Sequence, residues 1–148
     1  RWEARDYIDS YLDHYQGVRR YMKQVVVDAR DCGYTQTIYG RRRSIPELKS
    51  SNFNVRSGAE RIALNTPIQG TAADLIKIAM IRVDAEMTKR RLKSRMILQI
   101  HDELVFEVPN EELEEMKQLV PEIMNSSMEM SVPLMTEVNW GESWYDAH

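Results

Sequence analysis

Residues 96–109 constrain the fold more than any other stretch, because two apolar, β-prone runs flank a short polar break. The first run spans residues 96–100 and the second spans residues 104–108. Two such runs predict a β-hairpin. The break, His101-Asp102-Glu103, lacks the Gly, Pro or Asn that tight turns favour. A hairpin tip of this composition brings two carboxylates and an imidazole together.

Two interpretations of this tip stay open on the residues alone. Charged side chains at a hairpin tip can simply be solvated. Alternatively, the carboxylates hold a divalent cation, since Mg²⁺ takes oxygen ligands, often one or two carboxylates together with substrate phosphates. A turn that departs from local sequence rules favours a functional role.

Composition excludes several classes of protein. The chain has 148 residues, 43% hydrophobic and 29% charged, which is typical of one soluble globular domain or part of a larger one. No apolar run reaches the length of a membrane span, and no signal peptide opens the sequence. Cys32 is the only cysteine, which excludes an intrachain disulfide and a cysteine-rich zinc site and fits a reducing, cytoplasmic setting.

The net charge of −3 conceals an asymmetry along the chain. Residues 1–95 carry a charge of +8, and residues 96–148 carry −11. This division predicts one surface that faces a polyanion and another that does not, although charged runs can also be solvated faces.

The pattern before the hairpin is mainly helical. Helical spacing predicts a helix over residues 3–32, interrupted at Gly17 and stopped at Gly33. A short ribbon follows from Tyr34, with Arg41, Arg42 and Arg43 at its tip. Residues 50–65 predict one helix. A second helix is predicted to begin at Thr66-Pro67 and to run to about Lys89.

Two groups of polar residues are candidates for binding nucleic acid. Arg41, Arg42 and Arg43 have only Glu47 as a nearby acid, so either a phosphate backbone neutralises them or they form a solvated basic loop. Arg61, Asn65 and Gln69 are spaced by four and would form one row on a continuous helix. Such a row suits the minor groove, whose acceptors vary little with sequence, but it can also be a helix surface without a partner.

After the hairpin, Pro109-Asn110 caps a predicted acidic helix. Its first turn contains Glu111, Glu112, Glu114 and Glu115, which complement the helix dipole, and Pro121 should kink or interrupt it. Alternating residues predict a strand over 133–140, placed beside the hairpin. The expected fold class is therefore α+β, with an antiparallel sheet of the hairpin and the C-terminal strand packed on several helices.

Two motifs resemble the DNA polymerase I family, also called family A. Gln99-Ile100-His101-Asp102-Glu103-Leu104-Val105 is similar to the third conserved motif of that family, and the stretch from Asn65 to Asp74 is similar to the helix upstream of it. The order and spacing of the motifs match as well. Gly40-Arg41-Arg42-Arg43 and the stretch from Gly141 to His148 also look like family sequence, so the resemblance covers essentially the whole chain.

The resemblance implies template-directed transfer of nucleotides from dNTPs to a primer 3′-hydroxyl, with two Mg²⁺ ions in the complete site. Asp102 matches the metal-binding aspartate, and Glu103 matches the adjacent acid, whose direct ligation stays open. His101 matches a residue near the primer terminus. Arg61, Asn65 and Gln69 match the row that contacts template and primer, and the three arginines match a basic segment near the template. Primer–template DNA and dNTP are thus the implied partners, with no membrane.

The resemblance also implies that residues 1–148 form the C-terminal part of a polymerase domain, the palm and adjoining helices. The chain begins at Arg1, and it lacks an Asp-Tyr-Ser-like first motif and the fingers helix that handles the nucleotide. We therefore expect a fragment of a larger polymerase domain that does not polymerise alone and that self-associates through an unpaired sheet edge.

Three rival interpretations stay open. A non-enzymatic nucleic-acid binding module would not need Asp102. A relative of the single-subunit RNA polymerases also has a His-Asp hairpin, although Glu103 and the stretch from Asn65 to Asp74 favour DNA polymerase. Metal-independent hydrolysis is disfavoured, because the sequence has three histidines and no nucleophile elbow.

Overall fold

The computed structural model describes residues 2–147, so Arg1 and His148 lie outside the described residues. It confirms the α+β class. Within residues 2–147 the four α-helices are α1 (Trp2–His14), α2 (Gln16–Cys32), α3 (Phe53–Arg90) and α4 (Leu113–Asn125). The same range contains four strands, β1 (Tyr34–Gln36), β2 (Arg42–Ser44), β3 (Arg95–Ile100) and β4 (Glu103–Glu107). In the described part of the chain they form two separate two-stranded antiparallel sheets.

The chain divides into two compact units, residues 1–71 and 72–148, with helix α3 contributing to both. In the first unit the helical break falls at Tyr15, not at the predicted Gly17, and Gly33 ends α2 with a left-handed φ of 82°. Most apolar side chains of α1 are exposed, and Tyr7 is the extreme at 80%. The core of this unit packs α2 and α3 against the segment after β2 and consists of Ala29, Ile45, Leu48, Ala59 and Ala63.

The ribbon β1–β2 packs on helix α3, as its hydrogen bonds show. Thr35 Oγ1 donates to the carbonyl of Ala63 at 3.4 Å, and the Ile38 amide donates to Thr71 Oγ1 at 3.1 Å. A Cβ on Gly70 would lie 2.7 Å from the Thr37 methyl group. The ribbon therefore lies so close to the helix that residue 70 has no room for a side chain.

The predicted helix boundary at Thr66-Pro67 is wrong, since α3 continues through Pro67. Proline has no amide hydrogen, so it leaves the carbonyl four residues earlier, that of Ala63, without its helical donor. The hydroxyl of Thr35 supplies a donor to that carbonyl from outside the helix. This contact compensates for the hydrogen bond that Pro67 removes from the 38-residue helix.

The second unit is built around the hairpin β3–β4. Its core contains Val83 and Met87 from α3 and Met116 and Leu119 from α4. The hairpin adds Met96 and Phe106, which lie opposite each other in the ladder. Helix α3 ends with Arg91 in a left-handed conformation, φ 58°, and the Leu92 amide donates to the Met87 carbonyl. That geometry is a Schellman motif, and it turns the chain into β3.

Helix α4 follows a short 3₁₀ turn at Asn110–Glu112 and continues through Pro121 to Asn125, so the predicted interruption does not occur. Among the described residues no helix has both the length and the apolar character needed to span a membrane.

The predicted C-terminal strand over residues 133–140 is wrong for the described structure, which shows no strand there. Side-chain burial does alternate, with 134, 136 and 138 partly buried. Alternation, however, follows from an extended backbone, whereas a strand also needs a hydrogen-bonded neighbour. This segment instead follows α4: Thr136 Oγ1 donates to Asn125 Oδ1 at 2.8 Å, and Lys117 Nζ lies 3.6 Å from the ring centre of Trp140.

Candidate metal turn and nucleic-acid interface

The hairpin tip is a two-residue turn formed by His101 and Asp102. Ile100 pairs with Glu103, so Glu103 is the first residue of β4, not part of the turn as the sequence pattern predicted. In the two-residue turns that match the twist of the strands, at least the first residue adopts positive φ. His101 does so, with φ 52°. The tight turn places Asp102 at the tip and Glu103 next to it, and both are exposed.

The left-handed conformation of His101 is a local strain. Residues other than glycine seldom adopt it, although His, Asn and Asp do so more often than other types. Such strain costs on the order of 1–3 kcal/mol and clusters at functional sites. Gln99 supports the turn, because its Nε2 donates to the His101 carbonyl at 2.7 Å. The protein therefore holds residue 101 in a conformation that glycine would adopt at lower cost.

The donor chemistry of the turn fits a hard divalent cation. Asp102 and Glu103 offer carboxylate oxygens, which Mg²⁺ prefers, and Mg²⁺ is commonly held by one or two carboxylates with waters and substrate phosphates. Within the described residues no three His, Cys, Asp or Glu side chains come together as a metal site. The turn can therefore supply part of a coordination shell.

A β-bulge at Ile97 interrupts the hairpin ladder, since Met96 pairs with Phe106 while Leu98 pairs with Val105. A bulge adds one residue to one strand and increases the local twist, and bulges are common beside active sites. Sequence periodicity contains no signal for it, because residues 96–98 are all apolar.

The base of the hairpin is fastened by Glu112, a residue that the sequence pattern indicates only as a complement to the helix dipole. Glu112 Oε1 accepts the Lys93 amide at 2.8 Å. Its Oε2 accepts the Ser94 amide at 2.9 Å and the Ser94 hydroxyl at 2.6 Å. These hydrogen bonds lower the pKa of Glu112, and the bond from the Lys93 amide has the largest effect. No local sequence signal predicts this contact, because its partners lie 18 and 19 residues earlier.

In the first unit, Arg61, Asn65 and Gln69 lie on the uninterrupted helix α3, and all three are exposed. Residues four apart are neighbours on a helix surface, so the three side chains form one polar row about two turns long. The continuity of α3 through Pro67 is what keeps Gln69 in line with Arg61.

The three consecutive arginines have different environments. Arg41 donates from its guanidinium to the Gly70 carbonyl at 3.0 Å, directly after Gln69. The guanidinium of Arg42 lies 4.5 Å from the ring centre of Tyr34, a cation–π contact. Arg43 is exposed on β2, opposite Thr35. The prediction that the three arginines form the ribbon tip is therefore wrong. The chain turns at residues 38–40, where Gly40 has φ 80°.

Comparison with known proteins identifies the family of the chain. The sequence model described as DNA polymerase family A matches residues 1–146. DNA polymerase I of Bacillus subtilis (strain 168) is 53% identical over 147 residues, which is 99% of this chain and 17% of that protein. DNA polymerase I of Bacillus caldotenax is 49% identical, with the same two coverages.

A solved structure is similar as well, that of the POL domain of Pol1 from M. smegmatis in complex with DNA primer-template and dNTP. It is 52% identical, covers 98% of this chain and 26% of that chain, and superposes with a TM-score of 0.94. The chain thus has the fold of a polymerase-domain segment. It belongs to DNA polymerase family A, and it spans about a sixth of the length of the curated relatives it matches.

Proposed function

We propose that the protein containing this chain carries out template-directed DNA synthesis, joining dNTPs to a primer 3′-hydroxyl. The observation that carries the proposal is the strained two-residue turn that places Asp102 beside Glu103 at the hairpin tip. Membership of the family supports it, as does the similar M. smegmatis polymerase domain, whose solved structure is a complex with primer–template DNA and dNTP. A cytoplasmic setting belongs to the same proposal, because its substrates are intracellular.

In this proposal Asp102 binds the metal ions and Glu103 assists it, while another part of the polymerase supplies the second aspartate. Bound in a pair, Mg²⁺ ions would lower the pKa of the attacking hydroxyl and neutralise charge on the leaving pyrophosphate. His101 is proposed to lie at the primer terminus. A tight turn suits these roles because it holds neighbouring residues in fixed positions.

The row of Arg61, Asn65 and Gln69 is proposed to contact the minor groove of the primer–template near its end. Asn and Gln carry both donors and acceptors, so they can check the shape of a base pair without reading its identity. Arg41, Arg42 and Arg43 are proposed to lie along the phosphate backbone. Arg41 also fastens the ribbon to Gly70, so its loss should disturb the position of Gln69 as well as the local charge.

Primer extension by the whole polymerase tests the proposal, with wild type compared with Asp102→Asn on a primed template in Mg²⁺. Loss of a metal-binding carboxylate should reduce kcat by at least about a thousandfold, whereas the Kd for DNA should stay within about twofold. Unchanged extension would contradict the proposal and would favour the binding-module interpretation, for which the turn is only solvated.

We further propose that the isolated 148-residue chain neither extends a primer nor stays monomeric. Within the described residues each sheet has two strands, so the strands present open edges, and Ile97 and Leu98 on β3 are 58% and 45% exposed. Open apolar edges favour pairing with another chain. Light scattering should give a mass that rises with concentration; a monomer at every concentration, or detectable extension, would contradict this prediction.

A further inference from the structure

We infer that Glu112 is a positioning residue for the turn that carries Asp102, an inference that rests on the proposed function. Three hydrogen bonds connect its carboxylate to the two residues immediately before β3. Glu112 itself closes the short 3₁₀ turn that follows β4. One carboxylate therefore joins the chain entering the hairpin to the chain leaving it.

The hairpin side chains that pack against the core of the second unit lie near its base. In the described residues the hairpin is an isolated two-stranded sheet, and such ribbons are marginally stable without packing. Met96 and Phe106 pack on the core of the second unit near the base of the hairpin. Toward the tip, Leu98 is 45% exposed, His101, Asp102 and Glu103 are exposed, and Ile100, Leu104 and Val105 are partly buried. The contacts at the base, those of Glu112 among them, therefore contribute to the direction of the tip.

A small movement at the base becomes a large one at the tip. The six residues of β3 span about 20 Å at roughly 3.3 Å per residue, so a rotation of about 3° moves the tip by about 1 Å. A misplacement of about 1 Å can cost on the order of a hundredfold in rate. Ser94 is buried, and its hydroxyl and amide both bond to Glu112 Oε2, which leaves the native contact little freedom.

The test uses the whole polymerase with Glu112→Gln, which keeps the shape but replaces one carboxylate oxygen with an amide group that cannot accept the Lys93 or Ser94 amide. We expect kcat to fall by about tenfold and the Mg²⁺ concentration for half-maximal rate to rise at least about threefold, with the Kd for DNA unchanged. Glu111→Gln is the matched control, because it removes the same charge from an exposed neighbour in the same 3₁₀ turn.

A merely structural role would lower the Tm of Glu112→Gln and leave kcat and the Mg²⁺ midpoint at their wild-type values below that Tm, a result that would overturn the inference. If Glu112→Gln does not fold, Ser94→Ala replaces it, since it removes only the hydroxyl donor. It should shift the Mg²⁺ midpoint in the same direction by a smaller factor, and a wild-type midpoint would then overturn the inference.

Asp102→Asn, assayed in parallel, separates this inference from the proposed function. Extension by Asp102→Asn at the wild-type rate would mean that the turn is not the catalytic element. An inactive Asp102→Asn with a wild-type Glu112→Gln would reject only the role given to Glu112.

Discussion

At the scale of single residues, His101 and Glu112 show how the hairpin is held at its two ends. His101 adopts a left-handed φ at the tip, which costs free energy, and Gln99 compensates in part by donating to its carbonyl. Glu112 holds the base with three hydrogen bonds. Strain at the tip and anchoring at the base together define one direction for Asp102.

The lowered pKa of Glu112 predicts a pH-dependent contribution to stability. Because its pKa in the folded protein is below the ordinary value of 4.5, its contribution is fully present above that value and is lost as pH falls through the lowered pKa. The free energy of unfolding of wild type should therefore exceed that of Glu112→Gln at pH 7, and the difference should shrink below about pH 4.

Chemical denaturation of the polymerase at pH 7 and at several values down to about pH 3.5 measures this difference, with Glu111→Gln as the control for the change of charge. An equal difference between wild type and Glu112→Gln at every pH would contradict the ionised carboxylate as the acceptor.

At the scale of elements, the long helix α3 depends on a contact made outside it. Pro67 removes the helical donor for the Ala63 carbonyl, and Thr35 replaces it. We predict that Thr35→Val lowers the free energy of unfolding by about 1 kcal/mol, because the buried carbonyl then loses its donor while side-chain volume is kept. Denaturant unfolding of the polymerase measures the change.

Pro67→Ala provides the control for this prediction, since alanine restores an amide hydrogen four residues after Ala63. In the background of Pro67→Ala, the substitution Thr35→Val should cost less than it does alone. Equal costs in the two backgrounds would show that Thr35 does not compensate for the proline.

The same helix shows why sequence patterns predict only part of this fold. The hairpin β3–β4 was predicted correctly, because two apolar runs around a polar break are a local signal. The continuity of α3 was not predicted, because the donor for Ala63 comes from a residue 28 positions earlier. The bulge at Ile97 and the contacts of Glu112 were missed for the same reason: each depends on a partner that periodicity does not identify.

The predicted strand at 133–140 failed in a different way. Its alternation of buried and exposed side chains is present at residues 134–138, but the strand is not. A ladder, however, requires a second strand at hydrogen-bonding distance, and in the described structure the segment contacts α4 instead through Asn125 and Lys117. Strand formation therefore depends on a neighbouring strand as well as on the sequence of the segment itself.

At the scale of the whole molecule, each of the two compact units has its own group of candidate site residues. The polar row Arg61, Asn65 and Gln69 belongs to the first unit, and the turn with Asp102 belongs to the second. Sequence motifs indicate both groups as candidates, because each is a short stretch with unusual local chemistry. Their roles toward DNA and metal stay predictions, and they concern the larger polymerase, since this chain spans about a sixth of the length of its relatives.

The central claim is that Asp102 holds a catalytic metal ion, and a crystal structure of the whole polymerase with primer–template, a non-reactive dNTP analogue and Mn²⁺ tests it most directly. Mn²⁺ replaces Mg²⁺ at oxygen ligands and gives an anomalous signal. We predict an anomalous peak about 2.0–2.2 Å from a carboxylate oxygen of Asp102, and no peak there in Asp102→Asn. A peak bound only by other residues, with Asp102 in contact with solvent, would contradict the claim.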